Sequence, residues 1–191
     1  MPAHILPIVE GHGDVAAVPI LIRRIASDLG VHDVRVGKPI RCPRHKLVKP
    51  GELERAVELA AKKIQGDGQI LILIDANSDC PATLAPALAQ RARQIARSIP
   101  IAVVLAKREF EAWFLASLNS LRENGIPPPD PENIQGTKER LAELMGTSYS
   151  ATVDQPAFAH RFNMQEARNR CPSFDKCWRA VESLLATVQN A

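Results

Sequence analysis

ILPIVEGHGD, Ile5–Asp14, is an apolar run that meets a lone Glu10 and then a turn flanked by Gly11 and Gly13. A second run, QILILIDANSD over Gln69–Asp79, repeats the design: a strand-like stretch that stops abruptly in acids. A carboxylate at the edge of an apolar core is costly unless it is paired or bound to a cation. If the two ends meet in space, they make a small acidic pocket of the oxygen-rich kind preferred by Mg²⁺ or Mn²⁺.

Working outward, strand and helix signals alternate. Ile5–Val9 reads as a first strand, and Val18, Leu21, Ile22, Ile25 and Leu29 then fall at helical spacing, with Gly30 as the stop. Val34–Ile40 reads as a second strand leading into a basic loop, Arg41–Pro50. Leu53, Ala56, Val57, Ala60, Ala61 and Ile64 mark an amphipathic helix, closed by Gly66–Gly68. Ile70–Ile74 is apolar at every position, as a central strand covered on both faces should be. A helix is predicted from Pro81 to Ser98, with Leu84, Leu88 and Ile95 inward and Arg91, Arg93 and Arg97 outward. Ile101–Ala106 is a fourth strand. This alternation implies parallel βαβ units with right-handed crossovers, hence an α/β, Rossmann-like fold with a four-stranded parallel sheet.

After Lys107 the strand signals stop. Phe110, Trp113, Phe114, Leu118 and Leu121 predict one helix, and the proline-rich run Ile126–Pro131 breaks the pattern. Helices are predicted over Thr137–Met145 and Phe174–Val188, the latter with Phe174, Trp178, Val181, Leu185 and Val188 on one face. Both Trp residues sit on apolar stripes and read as core. The expected division is an α/β domain over 1–125 and a helical extension over 126–191 packed on it.

Ligands of open α/β sheets bind beyond the carboxyl ends of the strands, where the strand order reverses. The common order 2-1-3-4 places the first and third strands side by side, so Glu10 and Asp75 become neighbours. Asp79 follows on the next loop, and Asn77 offers a neutral oxygen. Asp14 reads equally as a helix N-cap or as part of the site.

Composition narrows the partners. Of 191 residues, 46% are apolar and 24% charged, which describes a globular chain, and the net charge of +3 is too mild to prove a nucleic-acid partner. Arg41, Arg44, Lys46 and Lys49 nevertheless crowd one segment with no acid among them, either as a phosphate-binding surface or as a solvated loop. Met1–His4 carries no basic region and no stretch approaches the ~20 apolar residues of a membrane span, so a cytoplasmic protein without a membrane partner is expected. Cys42, Cys80, Cys171 and Cys177 form no CxxC pair and are expected to be reduced. Cys42 with His45 is too small a set for structural zinc.

The two acidic runs carry a family resemblance. VEGHGD (Val9–Asp14) followed by LIDANSD (Leu73–Asp79) resembles the signature of the Toprim superfamily, a Glu after strand one and an Asp-x-Asp after strand three. That domain occurs in topoisomerases, primases, recombination-repair proteins and OLD-family nucleases. KREFEAWFLA (Lys107–Ala116), PENIQGTKERL (Pro131–Leu141), Tyr149 and CPSF (Cys171–Phe174) are similar to a bacterial group of uncharacterised OLD-like Toprim proteins, so the resemblance spans nearly the whole chain. It implies Mg²⁺- or Mn²⁺-dependent phosphodiester chemistry on nucleic acid, DNA ahead of RNA, in bacterial defence or repair. Glu10 would be general acid or base or a metal ligand, Asp75 and Asp79 would hold metal, and Glu109 and Glu111 would complete a second metal position on the same rim. The alternative for Glu109 and Glu111 is a helix-start pair favoured by the macrodipole. Lys138 would reach a phosphate, or would be a surface helix lysine. One departure stands out: the second Asp of Asp-x-Asp is Asn77 here, which removes a charge from a two-metal site.

Two rival readings follow from the same residues. A flavodoxin-like receiver domain would want an acidic pair after strand one and a Ser or Thr ending strand four, and neither is present. A non-catalytic interaction subunit of a defence or repair complex fits Asn77. No GxxxxGK[ST] loop occurs, so any nucleotide-driven step would belong to a partner ATPase.

Overall fold

A computed structural model describes residues 3–64 and 68–189 of the chain. Gly66 and Asp67 of the expected turn, and the side chain of Val188, lie outside what is described. Strands β1 (Ala3–Val9), β2 (Val34–Val36), β3 (Ile40–Arg41), β4 (Gly68–Asp75) and β5 (Ile101–Ala106) form one parallel sheet. Its order is β2-β1-β4-β5, with β3 continuing beside β1 where β2 leaves off. This is the expected 2-1-3-4 arrangement, with the second strand delivered in two pieces.

The break has a cause in β1. The Ile5 carbonyl accepts Gly37 N–H at 2.9 Å and the Val9 carbonyl accepts Cys42 N–H at 2.8 Å, so odd-numbered residues of β1 face β2 and β3. Pro7 lies between them and offers no N–H on that side, and Pro39 lacks a donor too. The chain therefore bows away opposite Pro7 and rejoins at Ile40. A proline is tolerated inside this central strand because its missing donor faces the gap.

The two-residue period of the strands splits the core into two layers. Ile5, Val9, Leu71, Leu73, Val104 and Ala106 face one side of the sheet, and Leu6, Ile8, Ile70, Ile72, Ile74 and Leu105 the other. The second side is covered by α3 (Glu52–Ile64) and α4 (Pro81–Ile95). The first receives only α1 (Asp14–Asp28) from the βαβ units. The rest of that face is closed by α10 (Pro172–Gln189), which lies along β5 and beside α1, and by α8 (Asp154–Arg161) on α1. Arg24 of α1 fastens α8, donating to the Ala159 carbonyl at 2.8 Å and the Phe162 carbonyl at 3.0 Å. Trp113 and Trp178 are both buried in this layer, and Trp113 Nε1 donates to Ser173 Oγ at 2.8 Å.

Several local expectations change. Ile95, expected inward, is 39% exposed, while Ala85, Leu88, Ala89 and Ala92 carry the packing of α4. Arg91, expected outward, turns onto α3, its Nε 2.7 Å from Glu54 Oε1. The single helix predicted over 110–121 comes as α5 (Glu111–Leu115) and α6 (Leu118–Leu121), separated at Ala116 and Ser117. The basic loop contains a short α2 (Arg44–Leu47) whose Leu47 is buried. α7 (Thr137–Met145) matches expectation, whereas α8 and α9 (Met164–Arg170), of 8 and 7 residues, are too short for periodicity to mark them. Among the described residues all four cysteines are free, and no helix is long and apolar enough to cross a membrane.

Candidate functional site

β1 and β4 pair in register Val9 with Leu73, so Glu10 and Asp75 emerge together at the carboxyl edge of the sheet. The contact is direct: Glu10 Oε2 accepts the Asp75 backbone N–H at 3.1 Å. Asp75 Oδ1 in turn accepts the Phe110 N–H at 2.8 Å, which ties the end of β4 to the chain leaving β5. Asp14 closes the turn between β1 and α1, its Oδ2 accepting Gly11 N–H at 2.7 Å and its Oδ1 accepting Gln155 Nε2 at 2.6 Å. Gly13 must be glycine here, since a Cβ would overlap the Ala151 carbonyl and the Gln155 amide where α8 docks. Asp14 is thus both turn anchor and docking contact.

A second pair of acids stands on the same rim, held differently. Glu109 Oε2 accepts the Thr137 N–H at 3.0 Å and also the Thr137 hydroxyl, and its Oε1 accepts Lys138 Nζ at 3.2 Å. Glu111 is 1% exposed; its Oε1 accepts the Tyr149 hydroxyl at 2.9 Å, while its Oε2 has no hydrogen-bond partner and lies 3.9 Å from Lys138 Nζ. Lys138, from the first turn of α7, is therefore a cation seated among carboxylates.

The ionisation equilibria follow from this packing. The Asp75 carboxyl is enclosed although the residue keeps some exposed surface, and burial pushes it well above the usual carboxylate range, with Glu10, Glu111 and Asp14 adding repulsion. Glu10 is raised chiefly by burial, against the pull of the Asp75 amide. Burial raises Glu111 to about 7, opposed by Lys138 and by the Tyr149 hydrogen bond. For Glu109, burial is outweighed by Thr137 and Lys138, which hold it below its ordinary value. Burial would lower Lys138, but Glu111, Asp75 and Glu109 together keep its ammonium raised.

The remaining candidates separate into engaged and free groups. Asp79 is ion-paired to Arg44, and Arg44 also donates to the Asp75 carbonyl at 2.9 Å and the Ala76 carbonyl at 3.3 Å. That guanidinium is a strut beneath the turn from β4 to α4. Arg41, Lys46 and Lys49 are exposed, with Arg41 ending β3 beside Val9 on the same edge as Glu10. Asn77 is exposed with φ 52°, a left-handed conformation that Asn adopts more readily than most residues, and its N–H donates to the Arg108 carbonyl at 2.8 Å. Sequence reasoning missed the Phe110 amide, Thr137 and Gln155. Backbone donors have no sequence signal, while Thr137 and Gln155 lie far along the chain from the acids they hold.

The donor set is chemically suited to a hard divalent cation, being oxygens only and mutually repelling. Glu10 and Asp75 are the groups available to hold it. Glu109 and Asp79 are bonded to cations of the chain itself, and among the described residues no three acids, histidines or cysteines stand together as a ready metal centre.

A family model described as "Domain of unknown function (DUF4276)" matches residues 9–182. No curated protein matches the chain. Two solved structures of the C-terminal region of the Xanthomonas campestris pv. campestris OLD protein are matched over nearly the whole chain. The one phased with iodine is 14% identical, with 98% of each chain covered and a TM-score of 0.43. The one phased with mercury is 11% identical, with 97% of each chain covered and a TM-score of 0.39.

Proposed function

The chain belongs to the DUF4276 family, a domain of unknown function, and from that premise we propose that it performs Mg²⁺- or Mn²⁺-dependent phosphodiester chemistry on nucleic acid, as an OLD-like Toprim endonuclease of bacterial defence or repair. The observation that carries this reading is the convergence of Glu10 and Asp75 at the carboxyl ends of adjacent parallel strands, with Glu10 hydrogen-bonded to the Asp75 amide. When bound, the divalent ion supplies Lewis acidity toward a phosphoryl oxygen and an activated water. Asp75 is the principal ligand: the Phe110 amide fixes one oxygen, and the other accepts no hydrogen bond among the described residues. Glu10 has its carboxyl raised by burial toward the range where a group both takes and gives protons. Arg41, Lys46 and Lys49, exposed on the same edge, hold phosphates of the strand, with DNA as the preferred substrate.

One observation favours a second reading, a non-catalytic subunit working with a partner ATPase. Lys138 already neutralises part of the acidic rim, as a cation does in a site that has lost its metal. Calorimetric titration with Mg²⁺ and Mn²⁺ of wild type and Asp75→Asn, beside plasmid cleavage by wild type and Glu10→Gln, separates the two. Metal binding lost in Asp75→Asn and cleavage lost in Glu10→Gln support the nuclease. No metal binding by wild type refutes it and leaves the subunit reading.

A further inference from the structure

The acids occupy the two middle strands of the sheet edge, and basic groups occupy the strands on either side. In the order β3-β1-β4-β5, the chain leaves the sheet at Arg41, Glu10, Asp75 and, two residues beyond β5, Arg108. Arg108 differs from Arg44 and Lys138, the cations seated on the acids. Arg44 is bonded to Asp79 and two carbonyls, and Lys138 to Glu109. Arg108 is half-buried, and its guanidinium makes no hydrogen bond, ion pair or ring contact among the described residues.

Arg108 lines a cleft of about 180 Å³ with Asn77, Glu109 and the Ile134–Gly136 loop. That is below the ~300–1,000 Å³ of pockets that enclose whole small molecules, so it suits one charged group rather than a nucleoside. Glu109 is the acid in its wall, and Lys138 and Thr137 already neutralise it. The backbone holds this arrangement at a cost. Arg108 has φ 65° and its partner Asn77 φ 52°, two left-handed residues joined by the Asn77 N–H to Arg108 carbonyl bond. Left-handed backbone at a long side chain is disfavoured and clusters at binding sites.

The geometry points to a phosphoryl-binding subsite in this cleft, in which Arg108 grips a phosphate of a nucleic-acid strand laid across the carboxyl edge. The inference rests on the reading of Glu10 and Asp75 as a nucleic-acid site and names the residue that sets the strand's far anchor. Three strand spacings of about 4.8 Å separate the ends of β3 and β5, roughly 14 Å. Arg41 and Arg108 would thus hold phosphates on either side of the acids. Arg108 is a positioning residue, with a planar fork matched to a phosphate's oxygens.

The test uses labelled single-stranded oligonucleotides, with and without a 5′-phosphate, read by fluorescence anisotropy in EDTA over a salt series. The variants are Arg108→Gly, which accepts φ 65° without penalty, and Arg108→Lys. Arg108→Gly is expected to melt at or above the wild-type temperature, to bind about tenfold more weakly and to flatten the log–log salt slope by about 0.7. Arg108→Lys should restore the slope but not the full affinity. Loss confined to the 5′-phosphorylated strand assigns the cleft a terminal phosphomonoester, and equal loss on both assigns it an internal diester. Unchanged affinity and slope in Arg108→Gly overturns this subsite alone. Failure of wild type to bind either strand overturns the nucleic-acid reading and this inference with it.

Discussion

Replacing Glu111 by Gln should stabilise the protein, and only above acidic pH. The Glu111 carboxyl is 1% exposed, and burial raises it from 4.5 to about 7 despite the opposing pull of Lys138 and Tyr149. Such a group is protonated in the folded chain while its unfolded counterpart is ionised, so folding takes up a proton between those two values. Stability is full below about 4.5 and falls as pH rises toward 7. At ~1.4 kcal/mol per pH unit the loss reaches about 3 kcal/mol. Gln keeps an acceptor for the Tyr149 hydroxyl and carries no charge to desolvate. Asp75 has Glu111 among its repelling neighbours, so its own ionisation also becomes easier in the variant. Urea unfolding of both proteins at several pH values from 4 to 8 checks this. The two should coincide near pH 4 and separate by about 3 kcal/mol at pH 8, a rise of roughly 6–12 °C in Tm for a chain of this size. Parallel curves across the range would refute the account of a buried, under-compensated carboxylate.

Arg44→Ala should cost about 1–3 kcal/mol, because the Asp75 and Ala76 carbonyls lose a charged donor, whereas exposed Lys46→Ala should stay within about 0.5 kcal/mol; equal effects in denaturant titrations would show that Arg44 is no strut. The Arg41→Ala, Lys46→Ala double variant should flatten the salt dependence of duplex DNA binding by up to roughly two terms of 0.9, and an unchanged slope would remove that edge from the binding surface. Gly13→Ala should cost about 2 kcal/mol or more, since the new Cβ drives α8 off the turn; wild-type stability would mean that the docking tolerates a shift.

Legibility in the sequence followed the range of the interactions. Strand continuity and period are local, and they yielded the four strand positions; the common order of such sheets then supplied the adjacency of Glu10 and Asp75. The split of the second strand turns on a cross-strand fact, the missing Pro7 donor opposite residues 37–39, which neither segment announces alone. Ile95 illustrates a different limit: its helical phase points inward, but α4 ends at that residue and small alanines do the packing. The fates of Arg44, Asp79 and Glu109 were hidden for a third reason. Residue type marks a charge as available, and only the fold decides whether another part of the chain has already claimed it.

The sequence divides most naturally near residue 125, where residues 122–130 hold neither helix nor strand. Yet the groups that govern the acids come from beyond that division: Lys138 between Glu109 and Glu111, Tyr149 on Glu111, Gln155 on Asp14. Each of these carboxylates is a residue of the first part, and each of these partners is a residue of the second. The same C-terminal helices cover the face of the sheet that α1 leaves bare. Removing them would expose that apolar layer and leave the acid cluster without its ammonium. The repulsion between Glu10 and Asp75 would then be offset only by Arg44 and by the Asp75 and Phe110 amides. The helical half is therefore a working part of the acidic site, setting how much negative charge the edge presents to a cation or a phosphate.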